Sequence, residues 1–403
     1  MAKVSIIVPV YNPAGEFLEE CITSLVNQTL EDIEIILVDN GSINNNPEIL
    51  KKYDEKYANI KLIKFEKNVG FAKACNSALK IISGEYIQIV DSDDTIRKDT
   101  CELLYNKAKK YNADLIIFAS RLYNNKLKKY EYIPHYSLEC FPKKMERKPF
   151  KSEECIKYVF KSPLQDWNKF VKRELIFDYN NYFDEDLPYV LPDCVYSIKN
   201  FVNANRIMYE TEHLYNYRVN IDSSVVKGYS KANCHYIDAP VIFAKKLDET
   251  LLNLDNPELY ASSIARISLV HLFGYYNMVH KSNKKYLYHL IREYVLNLPQ
   301  NIYTKKLLKE IEYYKLITKI KKHSYIMFNF LNALYNKTKK NGVTRINIFG
   351  INVYKKKYAN FKIYRRYLGL FTITKEDFDA RMHYIIKKTS NEIINYLEDS
   401  IQK

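Results

Sequence analysis

The chain has 403 residues, of which 47% are hydrophobic and 27% charged, an ordinary balance for a globular protein long enough for two domains. Its seven cysteines form no Cys-x-x-Cys pair and its eight histidines are scattered, so a disulfide framework and a zinc site are both disfavoured. The longest apolar stretch, residues 325–335, is interrupted by Asn329 and Asn332 and is too short to span a membrane. Because a strand-like run follows Met1 almost at once, we expect no signal peptide.

The net charge of +15 is concentrated at one end of the chain. Residues 281–403 contain 26 Lys and Arg against 9 Asp and Glu, whereas residues 1–280 contain 36 and 38. A basic region of this kind attracts anionic membrane surfaces or nucleic acid. The alternative is an ordinary solvated helix surface.

Up to residue 120, short apolar runs rich in β-branched residues alternate with segments of helical periodicity. The predicted strands are Val4–Val10, Ile33–Val38, Ile60–Phe65, Glu85–Val90 and Asp114–Ala119. The predicted helices are Glu16–Asn27, Pro47–Tyr57, Gly70–Ile82 and Thr100–Tyr111. This alternation predicts an α/β fold with a parallel, doubly wound sheet.

The rhythm changes after residue 120. Residues 121–165 are polar and irregular, and residues 166–218 are compact again. From about 229 to 340 the pattern is mostly helical, as in Ala261–Val279. We therefore expect a largely helical region after the sheet.

The tail contains a weak internal echo, in which residues 345–357 and 362–375 each alternate apolar and polar side chains around a glycine. The pattern predicts a small β element of two segments, a hairpin if they pair, followed by a last helix over Lys375–Leu397. The expected domains are 1–225 (in halves 1–120 and 121–225), a helical region over 226–342 and a basic tail over 343–403.

Polar side chains follow three of the predicted strands at the point where each ends. The segments are Pro9-Val10-Tyr11-Asn12, Asp39-Asn40-Gly41-Ser42 and Asp91-Ser92-Asp93-Asp94. In doubly wound sheets, ligands bind outside the carboxyl ends of the strands, so the three segments are expected to meet in one crevice. For any one of them alone, a turn former or helix cap is the competing interpretation.

The acidic turn, residues 91–94, is the sharpest of these features. Three carboxylates within four residues repel one another unless a cation or hydrogen-bond donors compensate. Hard oxygen ligands suit Mg²⁺ or Mn²⁺, and such an ion bridging a diphosphate would neutralise charge on a leaving group. The alternative is a solvated turn that caps the following helix.

Five segments occur in the order and spacing seen in the family-2 glycosyltransferases, and on them the sequence resembles that family over residues 3–120. They are Ser5-Ile-Ile-Val-Pro-Val-Tyr-Asn12, Ser24-Leu-Val-Asn-Gln-Thr29, Glu34-Ile-Ile-Leu-Val-Asp-Asn-Gly-Ser42, Asn68-Val-Gly70 with Asn76, and Gly84-Glu-Tyr-Ile-Gln-Ile-Val-Asp-Ser-Asp-Asp94. Weaker similarity continues through Asp166-Trp-Asn-Lys-Phe-Val-Lys-Arg-Glu174, Phe183-Asp-Glu185 and Leu214-Tyr-Asn-Tyr-Arg218. The resemblance implies a GT-A fold and transfer with inversion.

The same resemblance implies a role for each strand-end residue. Asp39 would accept a hydrogen bond from the uracil of a UDP-sugar, Asp91 and Ser92 would face the ribose or diphosphate, and Asp93, helped by Asp91, would hold Mn²⁺ or Mg²⁺. The remaining donor-pocket residues would be Pro9, Val10, Tyr11, Asn68, Lys73 and Asn76. For Lys73 and Asn76 a solvated helix surface is the alternative.

Asp193 is the predicted catalytic base. An inverting transfer needs a carboxylate that takes the proton of the acceptor hydroxyl. In the family this base commonly comes from a Glu-Asp pair, and here Pro192 replaces its first member. Asp193 is also suited to cap a helix over Cys194–Ala204. The nearest other carboxylates are Asp184, Glu185 and Asp186.

Trp167, the single tryptophan, would either stack on an acceptor sugar or anchor the core. The resemblance as a whole implies an inverting transferase that uses a nucleotide-sugar donor, expected to be UDP-linked, and a glycan or glycolipid acceptor in bacterial surface polysaccharide or lipooligosaccharide synthesis. The basic region would hold it on the inner, cytoplasmic face of an anionic membrane, and a homo-oligomer is compatible. The rival interpretations are a catalytically inactive interaction protein and, more remotely, a nucleic-acid-binding protein.

Overall fold

The computed structural model describes residues 2–131, 136–146, 148–188, 191–219 and 236–325, and four strands between residues 336 and 366. Two compact units are present, Met1–Lys321 and Lys322–Lys403. The helical region thus packs with the sheet in one unit. The predicted boundary near residue 225 and the predicted helix over Lys375–Leu397 lie outside the described residues.

A nine-stranded, mostly parallel sheet forms the centre of the first unit, with the order β3-β2-β1-β4-β8-β6-β9-β5 and with β7 paired to β6. The strands are β1 Val4–Val10, β2 Ile33–Asp39, β3 Ile60–Lys64, β4 Tyr86–Ile89, β5 Thr95–Ile96, β6 Leu115–Asn124, β7 Lys129–Glu131, β8 Lys169–Lys172 and β9 Ile207–Val219. The predicted strands are confirmed, although β6 extends five residues past the predicted end. Strand β8 runs antiparallel between β4 and β6, which the sequence did not indicate.

Helices cover both faces of this sheet. They are α1 Gly15–Val26, α2 Asn46–Lys56, α3 Phe71–Leu79, α4 Thr100–Tyr111, α5 Ser152–Val159, α6 Arg173–Asp178 and α7 Leu191–Asn203. The side chains of β1 and β2 are almost all buried on both faces, as their continuous apolar runs predict. Their burial against α1 and α4 forms the main core.

One buried carboxylate links the first strands of the sheet. Glu34 in β2 accepts hydrogen bonds from the Ser5 hydroxyl (2.6 Å) and the Gly84 amide (3.1 Å), and Lys61 pairs with it at 2.8 Å. Burial acts to raise the pKa of Glu34, but hydrogen bonds from Lys61, Ser5 and Ser83 outweigh it and lower that pKa to about 2. A Cβ on Gly84 would stand 2.4 Å from the Ser5 nitrogen, so only glycine fits there.

The rest of the first unit is helical, as predicted. The helices are α8 Ala239–Leu252, α9 Pro257–Met278, α10 Lys284–Leu296, α11 Lys305–Glu310 and α12 Tyr314–Lys322. In α8, Asp248 is buried and accepts hydrogen bonds from the hydroxyls of Tyr294 (2.8 Å) and Tyr303. Among the described helices, none combines the length and apolarity needed to cross a bilayer.

The second unit contains a four-stranded antiparallel sheet in the order β10-β11-β12-β13. Its strands are β10 Asn336–Lys340, β11 Val343–Ile348, β12 Ile351–Ala359 and β13 Lys362–Arg366. The first copy of the internal echo folds as the β11–β12 hairpin, and the second copy adds β13. The small β element is therefore confirmed and larger than a single hairpin.

Candidate active site

The turns that follow β1, β2 and β3 line a cavity of about 510 Å³. Its lining residues are Pro9, Val10, Tyr11, Asn40, Asn68, Gly70, Phe71, Leu187, Pro188 and Tyr236. Four of the residues predicted to bind the donor, Pro9, Val10, Tyr11 and Asn68, therefore meet in one place. We call this the donor cavity.

Short hydrogen-bonded turns shape the wall of the donor cavity. The Asn40 side chain accepts from the Val69 amide (2.8 Å) and donates to Asn68 (3.4 Å), whose carbonyl oxygen also accepts from the Gly70 amide (2.8 Å). Gly41 has a positive φ of 73°, and a Cβ there would lie 2.3 Å from the backbone of Lys67. Glycine thus lets the two loops touch.

Asp39 ends β2 beside this wall and is almost fully buried. Its carboxylate accepts a hydrogen bond from the Ser42 amide at 2.9 Å, which fixes the turn. The structure places Asp39 next to Asn40, which lines the cavity, but Asp39 does not line it. Its role as the uracil acceptor stays a prediction.

The acidic turn is held by β9, far away in the chain. Asp94 accepts hydrogen bonds from the Tyr215 hydroxyl (2.8 Å) and the Arg218 amide (2.6 Å). The Asp91 amide donates to Tyr215 (3.1 Å), and the Arg218 guanidinium donates to the Asp93 carbonyl (2.8 Å). Asp94 therefore holds the acidic turn against β9. The helix-cap alternative is wrong for this turn, because β5 separates it from α4.

The carboxylates of Asp166 and Asp193 are buried, that of Asp91 is half-buried, and the three interact electrostatically. Burial raises the pKa of Asp91 well above its usual range, and the charges of Asp166 and Asp93 raise it further. Burial likewise raises the pKa of Asp193, with Asp166 and Asp91 adding to it and the Cys194 amide opposing it. Cys75 of α3 lies close enough to the same three carboxylates for their charges to raise the pKa of its thiol.

Asp166 is the site residue that the sequence analysis did not single out. It is 2% exposed, burial raises its pKa to about 7, and one carboxylate oxygen has no hydrogen-bond partner within the described part of the chain. The sequence feature that could have pointed to Asp166 is the weak family resemblance of the segment from Asp166 to Glu174.

Lys169 lies buried beside this carboxylate. Its ammonium donates to the carbonyls of Pro163 (2.9 Å) and Gln165 (2.8 Å) and to the Asn168 side chain. Burial lowers the pKa of Lys169 to about 7, against the attraction of Asp166. The buried Lys169 therefore shares one region with the buried Asp166 and Asp193 and the half-buried Asp91.

Asp193 does not cap its helix, because α7 begins two residues earlier, at Leu191. Its carboxylate instead accepts from the Cys194 amide at 2.7 Å, inside the first turn. Pro192 fits there, since the first turn of a helix needs no donor from it. Of the competing carboxylates, Asp184 pairs with Lys199 (2.7 Å) and Glu185 accepts from the Asn76 side chain (3.0 Å).

Two residues that were predicted to bind substrate have structural roles instead. Asn76 is buried, and its amide bonds the Phe183 backbone and the Glu185 carboxylate, all at 3.0 Å, so it holds α3 to that loop instead of facing a nucleotide. Trp167 is 2% exposed and stacks on Tyr215 with 4.6 Å between ring centres. It anchors the core and offers no open face to a sugar.

The two remaining residues predicted to bind the donor, Lys73 and Ser92, differ in their exposure. Lys73 is exposed in the first turn of α3, and Ser92 is buried within the acidic turn. Neither placement assigns a function, so both roles stay predictions.

The residues of the acidic turn fit a divalent ion as a partial ligand set. In the ranges that the structure describes, no three His, Cys, Asp or Glu side chains are arranged as a complete metal centre. Mg²⁺ and Mn²⁺ at sites of nucleotide chemistry typically take one or two carboxylates and complete their shell with phosphate oxygens and water. The repulsion between Asp91 and Asp93 is the kind that such a cation relieves.

Comparison with known proteins decides the family. Residues 5–176 match the family model of Glycosyl transferase family 2. The chain carries a family-2 glycosyltransferase domain. It is 34% identical over 222 residues to the uncharacterized glycosyltransferase EpsJ of Bacillus subtilis (strain 168), covering 55% of this chain and 62% of that protein. Against the cholesterol galactosyltransferase of Borreliella burgdorferi, identity is 33% over 222 residues, or 53% of this chain and 59% of that protein.

The chain thus spans about three-fifths of the length of these curated relatives. Among solved structures, residues 1–349 of S. aureus TarS in complex with UDP-GlcNAc superpose with a TM-score of 0.60 at 21% identity, covering 86% of this chain and 97% of that chain. The likeness confirms the expected GT-A fold with its helical continuation.

Proposed function

We propose that this family-2 glycosyltransferase transfers a sugar, with inversion, from a UDP-linked donor to a hydroxyl of a surface glycan or glycolipid. The observation that carries the proposal is the electrostatic interaction between the buried Asp193 and Asp91 of the acidic turn, in the same unit as the donor cavity. TarS, which shares the fold, has been crystallised with UDP-GlcNAc, and one relative is named for galactosylating a sterol.

In this proposal the donor cavity holds the uridine, and Asp93 with Asp91 holds Mn²⁺ or Mg²⁺. A bound ion would neutralise charge on the departing diphosphate. Asp193 serves as the base, because burial and the charge of Asp166 raise its pKa and so make its carboxylate a stronger proton acceptor.

A melting-temperature screen of UDP, GDP and their sugars, each with Mn²⁺, tests the donor. A ligand that binds the native state raises stability by RT ln(1 + [L]/Kd), so UDP compounds should stand out over GDP compounds. A chain that neither binds UDP nor hydrolyses any UDP-sugar would support the inactive interaction protein instead, for which Pro192 is the argument.

We further propose that the second unit attaches the enzyme to the inner face of the bacterial plasma membrane. In its sheet, Lys355 pairs with Arg345 on one side and with Arg366 on the other, and Lys356 pairs with Arg365. Anionic lipid would attract this concentration of basic residues, at about 1 kcal/mol for each Lys or Arg near the surface.

Flotation with anionic and with neutral vesicles tests this attachment. Replacing Lys355, Lys356, Arg365 and Arg366 by Gln should abolish co-flotation with anionic vesicles. Replacing four lysines of the first unit, Lys51, Lys52, Lys56 and Lys80, by Gln should leave it intact. Equal loss in both variants, or tighter binding to DNA than to vesicles at the same salt, would contradict the membrane proposal.

A further inference from the structure

A second cavity, of about 480 Å³, lies beside the acidic turn and shares no lining residue with the donor cavity. It is formed by the start of α1, the turn between β6 and β7, and the end of β9. Strands β6 and β9 are parallel to each other, so their carboxyl ends meet at this edge of the sheet. That is the edge at which sheets of this kind bind their ligands.

Arg218 joins this cavity to the acidic turn. Its side chain, almost fully buried, donates to the Asp93 carbonyl (2.8 Å), to the Asn125 side chain (2.9 Å) and to the Glu20 carboxylate. The guanidinium also lies over the ring of Phe17, 4.2 Å from its centre. The wall of the cavity therefore contacts the backbone of Asp93, whose carboxylate is proposed to bind the metal.

The lining combines aromatic rings with planar polar groups. Tyr123 and Tyr130 stand with their ring centres 5.2 Å apart, and Tyr130 is 49% exposed. The Arg121 guanidinium lies over the Tyr130 ring at 3.7 Å from its centre, and about half of the Tyr130 side chain stays exposed. Aromatic rings stack on the C–H faces of sugars, and carboxylates and amides hydrogen-bond their hydroxyls.

The charges in the cavity cancel. Glu16 and Glu20 supply two carboxylates, and Lys128 and Arg218 supply two cations. Arg218 is already paired with Glu20. A phosphate polymer would meet two carboxylates without a surplus of positive charge, whereas an uncharged sugar would meet acceptors and donors for its hydroxyls.

A neighbouring cavity of about 570 Å³ extends along the outer side of α1 and shares Glu16, Glu20 and Thr95 with the first. The two cavities together make one groove. We propose that this groove binds uncharged sugar units of the acceptor glycan, next to the unit that receives the new sugar. The inference rests on the proposed transferase function and specifies its acceptor.

A glycan array tests the proposal. The labelled full chain is applied to uncharged oligosaccharides of hexoses and N-acetylhexosamines printed beside phosphorylated sugars and poly(ribitol phosphate). We expect binding to at least one uncharged class. Tyr130→Ala should weaken it by at least about tenfold, and Glu16→Lys should shift preference toward the phosphorylated ligands. Tyr286→Ala, which removes an equally exposed tyrosine from α10, should change nothing.

UDP binding is measured on the same preparations by the rise in melting temperature. A preference of the wild-type chain for phosphorylated ligands would overturn the inference, as would equal glycan binding by Tyr130→Ala and Tyr286→Ala. A chain that binds UDP but no glycan on the array would overturn it too. Failure to bind UDP contradicts the donor proposal separately, whichever glycans are bound.

Discussion

The two sides of the acidic turn are held by different kinds of interaction. On the donor side, made of β1–β4 and their turns, Asp39 bonds Ser42 three residues later and Asn68 bonds Gly70 two residues later. On the charged side, made of β5–β9 and α7, Asp94 is held by Tyr215, 121 residues away in the chain. The turns after β2 and β3 on the donor side are thus closed by local hydrogen bonds, whereas the acidic turn is held by contacts across more than a hundred residues.

Their electrostatic states differ as well. On the donor side the buried carboxylate of Glu34 has a pKa that its hydrogen bonds lower, against the effect of burial, to about 2. The charged side, together with Asp91 at its border, buries carboxylates whose pKa values are raised by burial and by one another. The donor side should therefore respond most to steric change, and the charged side to changes in charge.

The largest expected effect lies on the charged side. Asp193→Asn should lower kcat by about 10³-fold, because the amide cannot take the proton of the acceptor hydroxyl. UDP binding should persist, since Asp193 does not line the donor cavity. Asp186→Asn, at an exposed carboxylate of the preceding loop, is the matched control. A fall in kcat of equal size in both variants would remove Asp193 from the role of base.

The next effect tests the steric character of the donor side. Gly84→Ala should lower the free energy of unfolding by about 3 kcal/mol, because the new Cβ would clash with the Ser5 backbone. In α9, where a Cβ would have no neighbour within 4 Å, Gly274→Ala should stabilise by about 0.5–1 kcal/mol. Urea unfolding compares the two. A Gly84→Ala protein as stable as wild type would show that β1 and β4 adjust freely.

A third effect concerns the buried carboxylate of the donor side. Glu34→Gln should cost about 2 kcal/mol at pH 7, because the donors around it lose their charged acceptor. The folded pKa of Glu34 lies below its ordinary value of 4.5, so its contribution is complete above about 4.5 and is lost as the pH falls toward 2. The gap in stability between the variant and wild type should close over that window. Glu31→Gln, at an exposed carboxylate, should produce no such gap.

The difference between local and long-range contacts explains which parts of the fold and the site the sequence could predict. The donor side follows local rules: apolar β-branched runs predict its strands, and the polar residues after them predict the cavity wall, including Pro9 and Asn68. The charged side depends on contacts across more than a hundred residues, which periodicity cannot reveal. Arg218 and Asp166 lie in segments that resemble the family only weakly, so the sequence predicted a role for neither.

The two predicted ligand residues that turned out to be structural follow the same logic. Asn76 and Trp167 have side chains that suit a nucleotide or a sugar as well as they suit a packed interior. Asn76 hydrogen-bonds the backbone of Phe183, and Trp167 stacks on Tyr215 of β9. Both partners are distant in the chain, so residue type alone could not decide between the two interpretations.

The smallest effect is the most specific to the charged side. The negative charge of Asp166 raises the pKa of Asp193, so Asp166→Asn should let Asp193 stay deprotonated at lower pH. The acid limb of the kcat–pH profile should therefore move to lower pH. Lys169 acts with the opposite sign, and Lys169→Met should move the limb upward in any preparation that keeps its cooperative unfolding. Movement of both variants in one direction would mean that packing, and not charge, sets the pKa of the base.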